Sequence, residues 1–218
     1  MMKWFKNNGL SIAFVVLFVV SIGGQCFTGL KQYNQEMEEK GGQQVGIVQY
    51  FTTGHFIEAT FENWESEFLQ MAAFVFLSMF LYQKGSSESK DPDKKEEVDK
   101  EPNPRKKGAP WAVRKGGLYL SLYKHSLSYA FTILFLLSFL AHWFGSLKNY
   151  NMTQMLEHKP TETAMQYLSN SKLWFESFQN WQSEFMSVFA IVILSIFFRQ
   201  HGSAQSKPVD APHSQTGD

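Results

Sequence analysis

Cysteine is nearly missing from this chain. Its 218 residues include one, Cys26, so no intrachain disulfide can form and a cysteine-based metal cluster is not expected. Cys26 reads as a small apolar helix residue. Net charge is missing as well: 20 Lys and Arg offset 20 Asp and Glu. Neither Pro nor Gly interrupts the helical pattern that starts near Phe56, or the one that starts near Leu173. Catalytic signatures are also lacking. No nucleophile–base pair, metal-ligand set or phosphate loop occurs in both halves of the chain. The expectation is a protein that is not an enzyme, with no cofactor, no metal and no nucleic-acid partner.

What the chain does have is the same segment twice. Residues 10–90 shifted by 117 fall on residues 127–207 without a gap, with about 30 of 81 positions identical. The sharpest match sets Asn63-Trp64-Glu65-Ser66-Glu67-Phe68 against Asn180-Trp181-Gln182-Ser183-Glu184-Phe185. Internal repeats set architecture, so they outrank any local signal. A residue kept in both copies is a stronger candidate for a role than one present once. His55 and Glu58 are spaced like metal ligands, but their repeat positions hold Lys172 and Phe175, which argues against a shared metal site.

The apolar residues are bunched into four stretches. Leu10–Phe27 and its copy Leu127–Phe144 are each 18 residues long, enough to cross a ~30 Å hydrocarbon core. Phe68–Tyr82 and Phe185–Phe198 are shorter, at 15 and 14 residues. Each continues a helical pattern, giving helices of about 27 residues, or roughly 40 Å. Lys3 and Lys6 ahead of an apolar run resemble a signal peptide. The same segment recurs mid-chain, which argues against cleavage.

Charge sets direction. With the N-terminus cytoplasmic, segments 1–9, 83–126 and 199–218 hold 15 of the 20 basic residues and a net charge of +6, against −6 on the other side. Trp4, Tyr82 and Trp111 then sit near the inner boundary, and Trp64, Trp143, Trp174 and Trp181 near the outer one. Two spans per copy make the repeats parallel, unlike the inverted repeats of many transporters.

The expected fold class is an all-α membrane protein with four transmembrane helices, a tandem parallel duplication of a two-span unit with short outer-surface helices. The first repeat covers 1–84, with spans at about 10–30 and 60–82. A charged cytoplasmic linker follows at 85–117, expected to be disordered on composition. The second repeat covers 118–201, with spans at about 127–147 and 177–198. A flexible cytoplasmic tail covers 202–218. Val45–Phe51 and Thr163–Leu168 are expected to form short surface helices. Thr161 is the expected cap of the second of these. Ser171 is the expected cap of the last span, and Thr53 or Gly54 that of the second. Arg105, Lys106, Lys107, Arg114 and Lys115 flank Trp111 and read either as topology determinants or as binders of anionic headgroups.

One polar stripe per copy stands out. Asn63, Glu67 and Gln70 share a helix face, as do Asn180, Glu184 and Ser187. Hydrocarbon offers polar groups no partner, so such stripes should turn inward. Glu67 falls ~22 Å outward from Tyr82, just below the outer surface of the core. Three uses compete: a paired carboxylate site for a cation or proton, a clamp between helices, or an interface anchor with Trp64 and Trp181 in the headgroups.

At these residues the chain resembles a family of uncharacterised bacterial membrane proteins, classed as a domain of unknown function. Its members carry two Asn-Trp-x-Ser-Glu-aromatic elements, each followed by an apolar span and a Gly-Ser-x-x-Ser-Lys ending. Here those endings are Gly85-Ser86-Ser87-Glu88-Ser89-Lys90 and Gly202-Ser203-Ala204-Gln205-Ser206-Lys207. Ser87 and Ala204 stand where a Pro often does. The resemblance implies the architecture and a bacterial inner-membrane location. It implies no activity. A non-enzymatic role in assembly or envelope interaction is expected, and a second copy of the chain is among the expected partners. The alternative is a small ion or proton channel or transporter using Glu67 and Glu184.

Overall fold

A computed structural model describes residues 2–217. The described chain is helical, and no strand occurs among those residues. The elements are α1 (Met2–Glu39), α2 (Ile47–Tyr50), α3 (Gly54–Leu77), a single 3₁₀ turn at Glu97–Asp99, α4 (Trp111–Lys115), α5 (Gly117–Lys124), α6 (Ser126–Leu156), α7 (Ala164–Tyr167) and α8 (Ser171–Phe197).

Three described helices are long and apolar enough to cross a membrane: Lys3–Glu39 within α1, then α6 and α8. The most apolar window of α1 has no buried residue. Its Leu10, Phe14, Val15, Val16 and Leu17 are all exposed. The fourth expected span, α3, does not reach the same apolar length. Its first 14 residues include Glu58, Glu62, Glu65 and Glu67, and the helix ends at Leu77 rather than near Tyr82. The end tightens into overlapping turns: Met79 N–H reaches Phe76 O, and Phe80 N–H reaches Leu77 O. The Lys90 ammonium donates to Met79 O at 3.4 Å. The turns satisfy the Phe76 and Leu77 carbonyls that the helix end leaves open, and Lys90 satisfies one in the turn beyond it.

The helix boundaries have local causes. At the end of α1, Gly42 N–H donates to Met37 O at 2.6 Å and Gly41 N–H to Glu38 O at 3.1 Å, with Gly41 at φ +70°. That is the Schellman closure, in which a left-handed residue turns the chain so that two late carbonyls are satisfied. Position for position, 117 residues later, Lys159 N–H donates to Gln154 O and His158 N–H to Met155 O, with His158 at φ +56°. α7 is capped by Thr163, whose hydroxyl accepts from Gln166 N–H. The expected cap, Thr161, is displaced because Asn151 Oδ1 holds Glu162 N–H at 2.8 Å, and the cap moves two residues on to Thr163. Asn170 caps α8, accepting from Lys172 N–H at 2.9 Å, while Ser171 is already helical. Thr53 caps α3, accepting from Phe56 N–H at 3.2 Å.

The described chain forms two compact units, residues 2–61 with 140–173 and residues 62–139 with 174–217. Each unit draws on both halves of the sequence. The first has a small core of Tyr33, Met37 and Tyr50, with Leu30, Val45, Phe56 and Leu156 packed on it. Two glycines let its helices touch. A Cβ on Gly145 would sit 2.7 Å from Glu58 N and 2.6 Å from Ile57 Cγ2, and one on Gly54 would overlap Asn149. Small residues allow such backbone approach between membrane helices. Here they bring the start of α3 against the outgoing end of α6.

Candidate functional site

The close approach at Gly54 and Gly145 places a polar cluster in the first unit. Glu58 of α3 is 8% exposed. Its Oε1 accepts from the Lys172 ammonium of α8, an ion pair. Its Oε2 accepts from Asn149 Nδ2 of α6 at 2.6 Å. Lys172 also donates to Ser146 Oγ at 3.4 Å. Ser146 shares a 2.7 Å hydrogen bond with the buried Tyr167 hydroxyl. A carboxylate this buried is costly unless it is paired and hydrogen-bonded, and here both oxygens have donors. The cluster ties together α3, α6, α7 and α8.

The same framework recurs in the other half of the sequence with different chemistry. Tyr50 corresponds to Tyr167, Gly29 to Ser146 and His55 to Lys172. The Tyr50 hydroxyl presses so closely on Gly29 that no Cβ would fit there. It meets His55 Nδ1 at 2.9 Å. Burial pushes the Tyr50 hydroxyl up to about 12, so it stays protonated. Burial, aided by the nearby Lys172 charge, lowers His55 below its ordinary 6.5, against an opposing pull from Glu36. Each loop is pinned in one way. Asn34 brackets Val45 with bonds of 2.9 Å to its carbonyl and 2.8 Å from its N–H. Asn151 does the same to Glu162, at 2.8 Å for both bonds.

In the second unit the expected stripe splits. Gln70 is buried at 8% exposure, while Asn63 and Glu67 are exposed. Asn180 and Glu184 are half-buried and Ser187 is exposed. Asn180 Nδ2 and Ser187 Oγ return to carbonyls of their own helix, Glu176 O and Glu184 O. The fully buried acid is instead Glu65, at 0% exposure, with Ser66 beside it at 1%. Glu65 Oε1 accepts from Trp181 Nε1 at 2.8 Å. Trp181 also packs against Phe135 and Phe178. Trp64 and Trp181 are both half-buried, and the polar edge of Trp181 is engaged with protein.

Sequence reasoning set Glu58, Lys172 and Glu65 aside because it favoured residues kept in both copies. Glu65 aligns with Gln182, Glu58 with Phe175 and Lys172 with His55. The available signal was the mismatch itself: an acid unique to one copy and a base unique to the other form a pair.

The second unit also gathers the two Gly-Ser-x-x-Ser-Lys endings. Gln83 N–H donates to Ser89 Oγ at 2.8 Å, and Gln200 N–H to Ser206 Oγ at 2.9 Å, 117 residues on. Ser86 Oγ meets Ser195 Oγ at 3.0 Å. The Lys207 ammonium, on a residue 1% exposed, donates to the carbonyls of Gly85, His213 and Gln215. Thr216 Oγ1 accepts from Gly85 N–H at 2.9 Å, and Gly217 N–H donates to Ser86 O at 3.0 Å. The segment read as a flexible tail on composition thus folds back on the Gly85 loop.

The helices and their polar clusters define a helical protein with three helices apolar and long enough to span a membrane. The chain belongs to the family Domain of unknown function (DUF6766), whose model matches residues 1–218. No curated protein and no solved structure matches it.

Proposed function

We propose that this chain is a four-span protein of a bacterial inner membrane, with both termini cytoplasmic. In this reading it arose by tandem duplication of a two-span unit and serves a non-enzymatic role in assembly or envelope interaction. The observation that carries the duplication is the repeated fastening of the loops. The Asn34–Val45 and Asn151–Glu162 brackets fall at the same spacing as the two Schellman closures and the two Gln–Ser bonds. Ladders of backbone bonds are common to all helices, whereas side-chain brackets at a fixed offset are not.

α3 supports the four-span reading through its pattern of burial. Glu58, Glu65, Ser66 and Gln70 are buried while Phe76 and Leu77 are exposed; Asn63 and Glu67, toward the outer end, are the exposed polar exceptions. A helix in lipid faces that way, because lipid offers polar groups no hydrogen bonds. The structural role follows from where the acids point. Glu58 and Glu65 are spent on Lys172, Asn149 and Trp181, and such interhelical bonds hold a bundle together.

A second reading rests on Glu67 and Glu184 holding matched positions in the two copies. Two carboxylates near one another in a membrane suit a cation or a shared proton. Glu67→Gln and Glu184→Gln variants, purified and reconstituted in liposomes, separate the readings. The assembly role predicts no ion or proton flux from wild type across pH, and normal insertion of both variants. A wild-type flux that both variants abolish while inserting normally would establish the channel reading instead.

A further inference from the structure

The segment leading into α6 has a surface that neither reading uses. Residues 105–124 carry six basic side chains and no acidic one. Within it, α4 and α5 fold against each other across Gly116 and Gly117, at φ +69° and +56°. Ala112 and Val113 are buried in that turn, while Trp111, Leu118, Tyr119, Leu122 and Tyr123 remain exposed at 46% or more. Trp111 and Tyr119 meet edge to face at 5.0 Å. Lys115 Nζ lies 5.0 Å from the Trp111 ring centre and 4.1 Å from that of Tyr119. Pro110, Trp111, Tyr119, Leu122 and Tyr123 line an apolar groove of about 430 Å³. A single residue, His125, separates α5 from Ser126, where one of the apolar helices long enough to span a membrane begins.

We infer that α4–α5 is an interfacial wedge: it lies on the cytoplasmic face of the membrane, seats its aromatic groove among the acyl–headgroup boundary, and binds anionic lipid headgroups through Arg114 and Lys115. Three observations select a lipid surface as the occupant. The groove is continuous with a spanning helix, so the bilayer is already adjacent. Its exposed groups are aromatic and aliphatic, suited to the headgroup boundary, where amphipathic rings settle. Apart from Lys124, which is paired with Glu101 at 2.8 Å, its charge is of one sign and lies toward the side of the bilayer that carries anionic lipid. A nucleic acid would use the same charges, but exposed Leu118 and Leu122 have no role against phosphate. The inference rests on the proposed membrane topology and adds a lipid class and a site to it.

The test uses the full chain with Cys26→Ser and a single Leu122→Cys bearing an environment-sensitive dye. It is reconstituted in vesicles of phosphatidylcholine alone or mixed with phosphatidylglycerol. Flotation first reports whether the chain is in the membrane; failure there sinks the topology and the wedge together. In floating protein, the inference expects the dye to be blue-shifted and quenched by lipids brominated near the headgroup, more strongly with phosphatidylglycerol. Arg114→Glu with Lys115→Glu should abolish the phosphatidylglycerol dependence while flotation is retained. Arg114→Lys with Lys115→Arg should keep it. A dye that stays water-exposed in both vesicle types overturns the wedge and leaves the spans intact. So does a dye signal moved by duplex oligonucleotide and not by lipid.

Discussion

His158 is the only non-glycine residue with positive φ among the described residues. It occupies the position that Gly41 fills in the first half. A side chain in the left-handed region costs about 1 kcal/mol relative to glycine. His158→Gly should therefore raise stability by up to about that amount, read as a shift in thermal unfolding in detergent. The Glu58–Lys172 pair makes the opposite prediction. Lys172→Met leaves a nearly buried carboxylate with one donor fewer, and should cost about 2 kcal/mol. In a double-mutant cycle with Glu58→Gln the losses should be strongly non-additive. His55 gives a pH dependence. Its folded-state affinity for a proton is lowered below the ordinary 6.5, so the unfolded chain binds that proton more readily. Stability from this group is complete above about pH 6.5 and falls as pH drops through and below that value. His55→Gln should flatten that acid limb of a melting curve. These residues were the least legible in sequence. Glu58, Lys172 and Glu65 each match a different residue type 117 positions away, so the repeat filter that found the stripe removed the very side chains that are buried and paired.

The helices were far more legible. The apolar runs at 10–30 and 127–147 lie within helices α1 and α6, and that at 177–198 lies in α8 but for Phe198, because a long lipophilic stretch without Pro has few alternatives to helix. The short helices around Gln49-Tyr50 and Gln166-Tyr167 also appear. α3 was the hard case, because its apolar and polar halves are each too short to decide its length. It stops at Leu77, where tight turns take over the Phe76 and Leu77 carbonyls and the Lys90 ammonium holds Met79 O just beyond them. Its start depends on close contact, which no periodicity records. Gly145→Leu would drive a side chain into Ile57 and the Glu58 backbone, and overpacking of this kind costs about 1–3 kcal/mol. The effect should be seen as a lower melting temperature and loss of the Glu58–Lys172 coupling. At the other end of the chain, Lys207→Met removes the ammonium that gathers the carbonyls of Gly85, His213 and Gln215. The tail of that variant should be cut faster by limited proteolysis, while the helices stay protected.

For the whole molecule, the central claim is that α3 crosses the membrane although four glutamates fall in its first 14 residues. The claim decides the side on which the charged linker lies. With four spans, the linker shares the cytoplasmic side with both termini. If α1, α6 and α8 were the only crossings, the linker would face outward. Accessibility of single cysteines in intact spheroplasts settles this, in a Cys26→Ser background with a membrane-impermeant thiol reagent. The account predicts that Lys40→Cys and Lys159→Cys are labelled from outside and that Asp93→Cys is labelled only after the membrane is permeabilised. Labelling of Asp93→Cys in intact spheroplasts, at a rate matching Lys40→Cys, would contradict it.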